Sequence, residues 1–201
     1  MQRFVCEQNI AHFARLLGEA TDPTLRRTLL MLLSSARREL ALLNSQMSGA
    51  NLSPLPPKRP NGDLASVIAQ LRPSFETSTH PYMLIDPGPG LKIIDINDAF
   101  ARATFANRHD IIGRPLFEVF PDNPAIDTAD GVSNLYASLS SVVETGQPHA
   151  MQVQRYDMRD PAGTFVERYW QPINTPIHDA EGRLICLLHH VEDVTAEVLA
   201  N

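Results

Sequence analysis

The residues of this chain that could do chemistry are scattered. Its histidines are His12, His80, His109, His149, His178, His189 and His190. None stands in a spaced set with cysteine or carboxylate of the kind a metal centre needs. Cys6 and Cys186 lie far apart and form no redox or metal motif, so they read as reduced packing residues. The chain shows no Gly-rich phosphate loop, no HExxH, no paired CxxC and no Gly-x-Ser-x-Gly elbow. It is therefore not expected to be an enzyme, and no metal is assigned. What remains is a group of aromatic and polar residues, Tyr156, Trp170, Asn174 and His189. Aromatic walls with a few polar groups suit a small-molecule site. The competing reading is a filled core in which the polar tips find backbone partners.

The elements that must position these residues begin at 81–120, PYMLIDPGPGLKIIDINDAFARATFANRHDIIGRPLFEVF. Two apolar runs, 82–86 and 92–97, flank the turn Pro87-Gly88-Pro89-Gly90, which predicts strand, turn, strand. A short helix follows over 98–104, with Asn97 or Asp98 as cap. After the loop PDNPAIDTADG, residues 132–145 are helical, with Gly146 at the stop. Strands are expected over 149–158, 164–177 and 184–194, joined by turns at 160–163 and 179–182. Pro172 and Pro176 mark bends or unpaired positions.

This order of elements resembles a PAS domain over about residues 75–197. The resemblance rests on Leu84-Ile85-Asp86, on Ile94-Asp95-Ile96-Asn97-Asp98-Ala99-Phe100, on Ile112-Gly113-Arg114 before Phe117, and on a terminal Asp193-Val194-Thr195 that looks like the family's exit motif. It implies an α+β fold, with a five-stranded antiparallel sheet cupped around short helices. Aligned through the exit motif, Leu187, His189 and Val191 share the cavity face. Alternation then puts Trp170, Pro172 and Asn174 on that face and leaves Tyr169 and Ile173 outside. Tyr156 is the candidate on the third strand. Phe100, Phe117, Leu135 and Leu139 close the cavity from the helices. No cofactor is assigned. A haem ligand in such domains usually comes from the long helix, and 132–145 has no histidine. A cysteinyl-flavin photosensor needs a cysteine near Gly113-Arg114, where neither Cys6 nor Cys186 lies. Flavin or haem stays a third reading.

The N-terminal part carries its own pattern. Cys6, Ile10, Phe13, Leu17 and Ala20 draw one helical stripe, and Thr21-Asp22-Pro23 ends it and starts another. Leu25, Leu29, Leu32, Ala36, Leu40, Leu43 and Met47 mark the second stripe. Residues 1–47 thus form a helical hairpin whose apolar faces are too wide for two helices alone. Self-association is favoured, through Ile10, Phe13, Leu17, Leu25, Leu29, Leu32, Leu40 and Leu43. Folding back on its own domain is the alternative. Residues 48–62 read as a Pro-rich linker. A flanking helix is expected over 63–78, kinked or ended at Pro73, with the main domain over 79–201.

Charge divides the chain. Residues 1–62 hold eight basic and four acidic residues, and the rest nine and nineteen. The arginines of the hairpin alternate with apolar residues, so a solvated helix face is favoured over nucleic-acid binding. No apolar run of membrane-spanning length and no signal peptide is seen, and a cytoplasmic location is expected. With Asn201 six residues beyond Thr195, output is expected through the hairpin, the dimer state or a partner on the sheet. Together these features predict a non-enzymatic regulatory protein of bacterial-type signal transduction. A pocket ligand or signalling partner would be relayed to the N-terminal helices. A pure interaction module with a filled core is the runner-up.

Overall fold

A computed structural model describes residues 1–50 and 63–200. Helices α1 (Gln2–Glu19) and α2 (Pro23–Ser48) form an antiparallel hairpin. Asp22 caps α2 by accepting from the amides of Thr24 and Leu25, groups that have no partner inside the helix. Helix α3 (Asp63–Thr77) leads into β1 (Tyr82–Ile85) and β2 (Ile93–Ile96), then short helices α4 (Asp98–Thr104), α5 (Arg108–Ile111) and α6 (Leu116–Val119). The long helix α7 (Gly131–Thr145) precedes β3 (His149–Ala150), β4 (Gln154–Arg155), β5 (Met158–Arg159), β6 (Phe165–Val166), β7 (Tyr169–His178) and β8 (Leu184–Asp193), and α8 (Thr195–Leu199) closes the chain. Residues 51–62, most of the expected linker, lie outside the described residues.

The main sheet has the order β2-β1-β8-β7-β3, antiparallel throughout, with β4 also on β7. The expected third strand over 149–158 is broken, and the reason lies opposite it. Pro172 of β7 has no N–H to donate, and Met151, Gln152 and Val153 face only Gln171 and Pro172. The extra residue makes a bulge and splits β3 from β4. Beyond β4 the chain leaves the sheet for the ribbon β5–β6. This also divides the expected strand over 164–177. Pro73 does not end α3, which continues to Thr77 with the proline exposed.

One core lies between the inner face of the sheet and α4–α7, built on Met83, Ile85, Ile96, Leu139, Val142 and Leu187. A second, smaller cluster lies under α3 on the outer face, where Phe75 meets Leu84, Ile185 and Cys186. Asn97 is fully buried and holds the junction between them. Its Oδ1 accepts from Tyr82 N (3.0 Å) and Phe100 N (2.9 Å), and its Nδ2 donates to Phe75 O (3.1 Å) and His80 O (2.8 Å). All four bonding positions of the amide are used. Nearby, Arg108 bonds both Asp95 oxygens (2.6 and 2.7 Å) and Glu76 of α3 (2.6 Å). These partners push its basicity up.

The sequence reading favours a second copy for the hairpin's apolar stripe. The structure lays α2 on α7 of the same chain. Arg38 donates to Asp122 Oδ2 (2.8 Å) and Ala129 O (2.6 Å), while Asp122 Oδ1 accepts from Val132 N at the start of α7 (3.0 Å). The far end of α2 docks on the β1–β2 turn, with Gly90 N donating to Ser45 O (2.7 Å) and Ala50 N to Pro87 O (2.9 Å). Gly49 sits at φ +66° with space for no side chain: a Cβ there would come within 2.2 Å of Gly88 O. Of the eight expected interface residues, Leu29 is buried. Ile10, Phe13, Leu17, Leu40 and Leu43 are half-buried, and Leu25 and Leu32 stay exposed.

Replacing Asn97 by Ala strands two buried and two part-buried backbone groups, each buried one costing about 1–3 kcal/mol. Urea unfolding of Asn97→Ala is expected to show a loss of about 3 kcal/mol or more at unchanged denaturant slope. A loss under about 1 kcal/mol would show the junction to be replaceable.

Candidate functional site

Alternation on β7 and β8 decides what faces the cup. Trp170, Pro172 and Asn174 are buried, Gln171 and Ile173 exposed, and Tyr169 half-buried. On β8, Leu187, His189 and Val191 are buried on the inner side. Cross-strand pairing sets Asn174 beside His189 and Pro172 beside Val191.

These residues enclose a cavity of about 50 Å³. Phe100, Leu135, Tyr156, Trp170, His189 and Val191 line it, together with Met83, Phe120, Met151 and Met158. Phe117, Leu139, Leu187 and Asn174 are buried around it but do not line it. Tyr156 is held by its hydroxyl, which donates to Phe120 O, and Trp170 Nε1 donates to Tyr156 O at 2.8 Å. Gly131 makes room for the tyrosine: a Cβ there would lie 2.3 Å from the Tyr156 ring. Burial pushes the Tyr156 phenol well above its ordinary range.

The polar side of the cavity is a chain of side chains. His189 Nδ1 meets Asn174 Oδ1 at 2.7 Å, Asn174 Nδ2 donates to Ser138 Oγ at 2.7 Å, and Ser138 Oγ meets His149 Nδ1 at 2.7 Å. An amide oxygen only accepts, so the His189 proton sits on Nδ1. Ser138 Oγ accepts from Asn174 and shares its second hydrogen bond with His149 Nδ1, the direction of which follows the His149 tautomer. His189 Nε2 is then a bare lone pair on a cavity-lining ring, without a hydrogen-bond partner among the described residues. Burial, with a smaller contribution from His190, pushes His189 down to about 3 and keeps it neutral. The sequence reading missed Ser138 and His149. Their signal was available, since a serine between Leu135 and Leu139 sits on the buried stripe of a helix.

At the sheet exit, Asp193 Oδ1 accepts from Thr195 N (3.0 Å) and from its hydroxyl, and Thr195 Oγ1 in turn accepts from Tyr169 N (2.9 Å). Sheet order, helix placement and this local lock point to one family, and the PAS fold matches over residues 75–199. The chain belongs to the PAS-fold family. Among solved structures it is similar to a variant of RsLOV, at TM-score 0.50 and 15% identity, covering 67% of this chain and 70% of that one. A PAS domain from Colwellia psychrerythraea gives TM-score 0.48 and 16% identity, over 65% and 98% of the two chains. The PAS domain of the fruit-fly ELK potassium channel gives 0.47 and 11%, over 64% and 97%. No curated protein sequence matches significantly.

The cavity is small. Sites for drug-sized ligands usually run to about 300–1,000 Å³, so a flavin or haem ring would need lining side chains to move. Cys186 is buried in the cluster under α3, on the face of the sheet away from the cavity, and Cys6 lies on α1. No helix among the described residues is long and apolar enough to cross a membrane.

The neutral His189 makes stability depend on pH. Unfolded imidazole takes a proton near pH 6.5, whereas the folded ring resists until about 3. Stability is therefore complete above about pH 6.5 and is lost as pH falls toward 3. Between pH 7 and pH 4, wild type is expected to lose about 3 kcal/mol more than His189→Gln in urea titrations. Parallel losses would show that the ring is not buried neutral.

Proposed function

We propose that this PAS protein is a non-enzymatic regulatory module, cytoplasmic and of bacterial-type signal transduction, whose cavity takes a small neutral molecule. The observation that carries the reading is the hydrogen-bonded run from His189 through Asn174 to Ser138. It ties the cavity wall to α7, and α7 is the helix on which α2 lies. A ligand that donates to His189 Nε2 changes the load on Asn174, and with it the seat of the hairpin. Only ligands with different affinity for the two arrangements shift them. The outer α3 and the Asp193–Thr195 lock supply a second outlet, to a signalling partner on the sheet. A homodimer through the exposed side of the hairpin, around Leu25 and Leu32, belongs to the same proposal.

A second reading is favoured by the cavity's small volume. With about 50 Å³ of space, the domain can also work as an interaction module with a filled core. The two readings separate by experiment. Trp170 is the one tryptophan of the chain and lines the cavity, so its emission reports occupancy directly. Phenol, an apolar molecule with one donor, is expected to shift Trp170 emission saturably and to raise the melting temperature, with the lining methionines Met83, Met151 and Met158 giving way to admit it. His189→Leu should abolish this, and Tyr169→Ala should leave it intact. No response to phenol or to short alcohols would favour the filled-core module. Equal loss in both variants would put the site elsewhere. Light scattering is expected to give a dimer that is lost when residues 1–47 are removed.

A further inference from the structure

The sequence presents no spaced metal set, but folding builds one. His190 and Glu192 are two residues apart on β8, so their side chains share a face. That face is the outer one, away from the cavity. Tyr82 pairs with His190 across β1–β8, and the chain just before Tyr82 carries His80 into the same place. His80 Nδ1 lies 3.8 Å from Glu192 Oε1, and His190 Nε2 lies 3.9 Å from it. The three donor atoms all fall within 4.8 Å of one another.

Two further observations mark this as a built arrangement. His190 Nε2 is buried and has no hydrogen-bond partner among the described residues. Such an atom normally finds one. The rings are also held in place. His190 packs edge-on against Tyr82 (5.1 Å between centroids) and His80 (5.3 Å). The His80 backbone is pinned at both ends, by Asn97 Nδ2 on its carbonyl (2.8 Å) and by Ser78 Oγ on its amide (3.0 Å).

We propose that His80, His190 and Glu192 bind a borderline divalent cation such as Zn²⁺, clipping the α3–β1 connection to the end of β8. Two imidazoles and a carboxylate are the donor set such an ion takes, with water completing the shell. Donors about 2.0–2.1 Å from a tetrahedral ion stand about 3.4 Å apart. The gaps of 3.8 and 3.9 Å, and the third within 4.8 Å, close by rotations of His80 and Glu192, both exposed. The clip sits one residue before Asp193, where the chain leaves the sheet. It ties α3 to that exit independently of anything in the cavity.

Zinc chloride titrated by calorimetry into the untagged 201-residue protein tests the site. Wild type is expected to bind one equivalent saturably and to gain thermal stability. His80→Ala and Glu192→Gln, both at exposed positions that tolerate change, should each weaken binding about tenfold or more. His12→Ala should not. Cobalt(II) should give the visible bands of a nitrogen-and-oxygen site in wild type only. Absence of saturable binding overturns the proposal. So does binding that survives in the His80→Ala/Glu192→Gln double variant, which would mean an adventitious ion only. Neither result bears on phenol binding in the cavity.

Discussion

A buried amide joins the two halves of this structure. Asn174 is fully excluded from solvent in the middle of β7, with β8 on one side and α7 above. Its oxygen and nitrogen cannot be rehydrated, so both must be bonded or the fold loses stability. Each bond reaches a different element. One fixes the tautomer of His189, and the other holds Ser138 on α7. An apolar residue would fill the space without specifying how α7 sits on the sheet. The amide specifies it, because only one placement satisfies both bonds.

The same device recurs wherever elements must keep a fixed relation. Asn97 uses four bonds to join the end of α3, the entry to β1 and the start of α4. Arg108 clasps Asp95 and Glu76, linking α5, β2 and α3. Arg38 and Asp122 tie α2 to the start of α7, with burial pushing the carboxyl above its usual range despite the arginine. Apolar packing supplies most of the stability, as in any core of this size. It is non-directional, and these polar joints set the angles. In the proposed function, a change on the cavity wall travels outward through these joints. The route runs along Asn174 and Ser138 into α7, then through the α2 contact into the hairpin.

Much of this was legible in the sequence, for physical reasons. Resemblance at the exit motif, carried along the strands by period-two alternation, placed Trp170, Asn174, His189 and Val191 on one face, and all four are buried. Tyr169 and Ile173 lie on the other. The Pro-Gly turn, the Thr21-Asp22-Pro23 break and Gly146 announced element boundaries through backbone preferences that act locally. Long-range pairing was less visible. The apolar stripes of α1 and α2 predict that something covers them but not what, and α7 of the same chain covers part of the α2 stripe. The break in the third strand depends on which residue faces Pro172, a matter of register across two strands. Ser138 and His149 joined the site only once α7 was laid on β7. His80 and Glu192 are far apart in sequence and meet because β1 pairs with β8.

The central claim is that Asn174 carries the state of the cavity wall to the hairpin. Amide hydrogen exchange on the 201-residue protein tests it most directly, comparing wild type with Asn174→Leu. The account predicts faster exchange in α7 and in the half of α2 that lies on it, with β1 and β2 keeping their protection. Loosening confined to β7 and β8, with α7 and α2 as protected as in wild type, would contradict it.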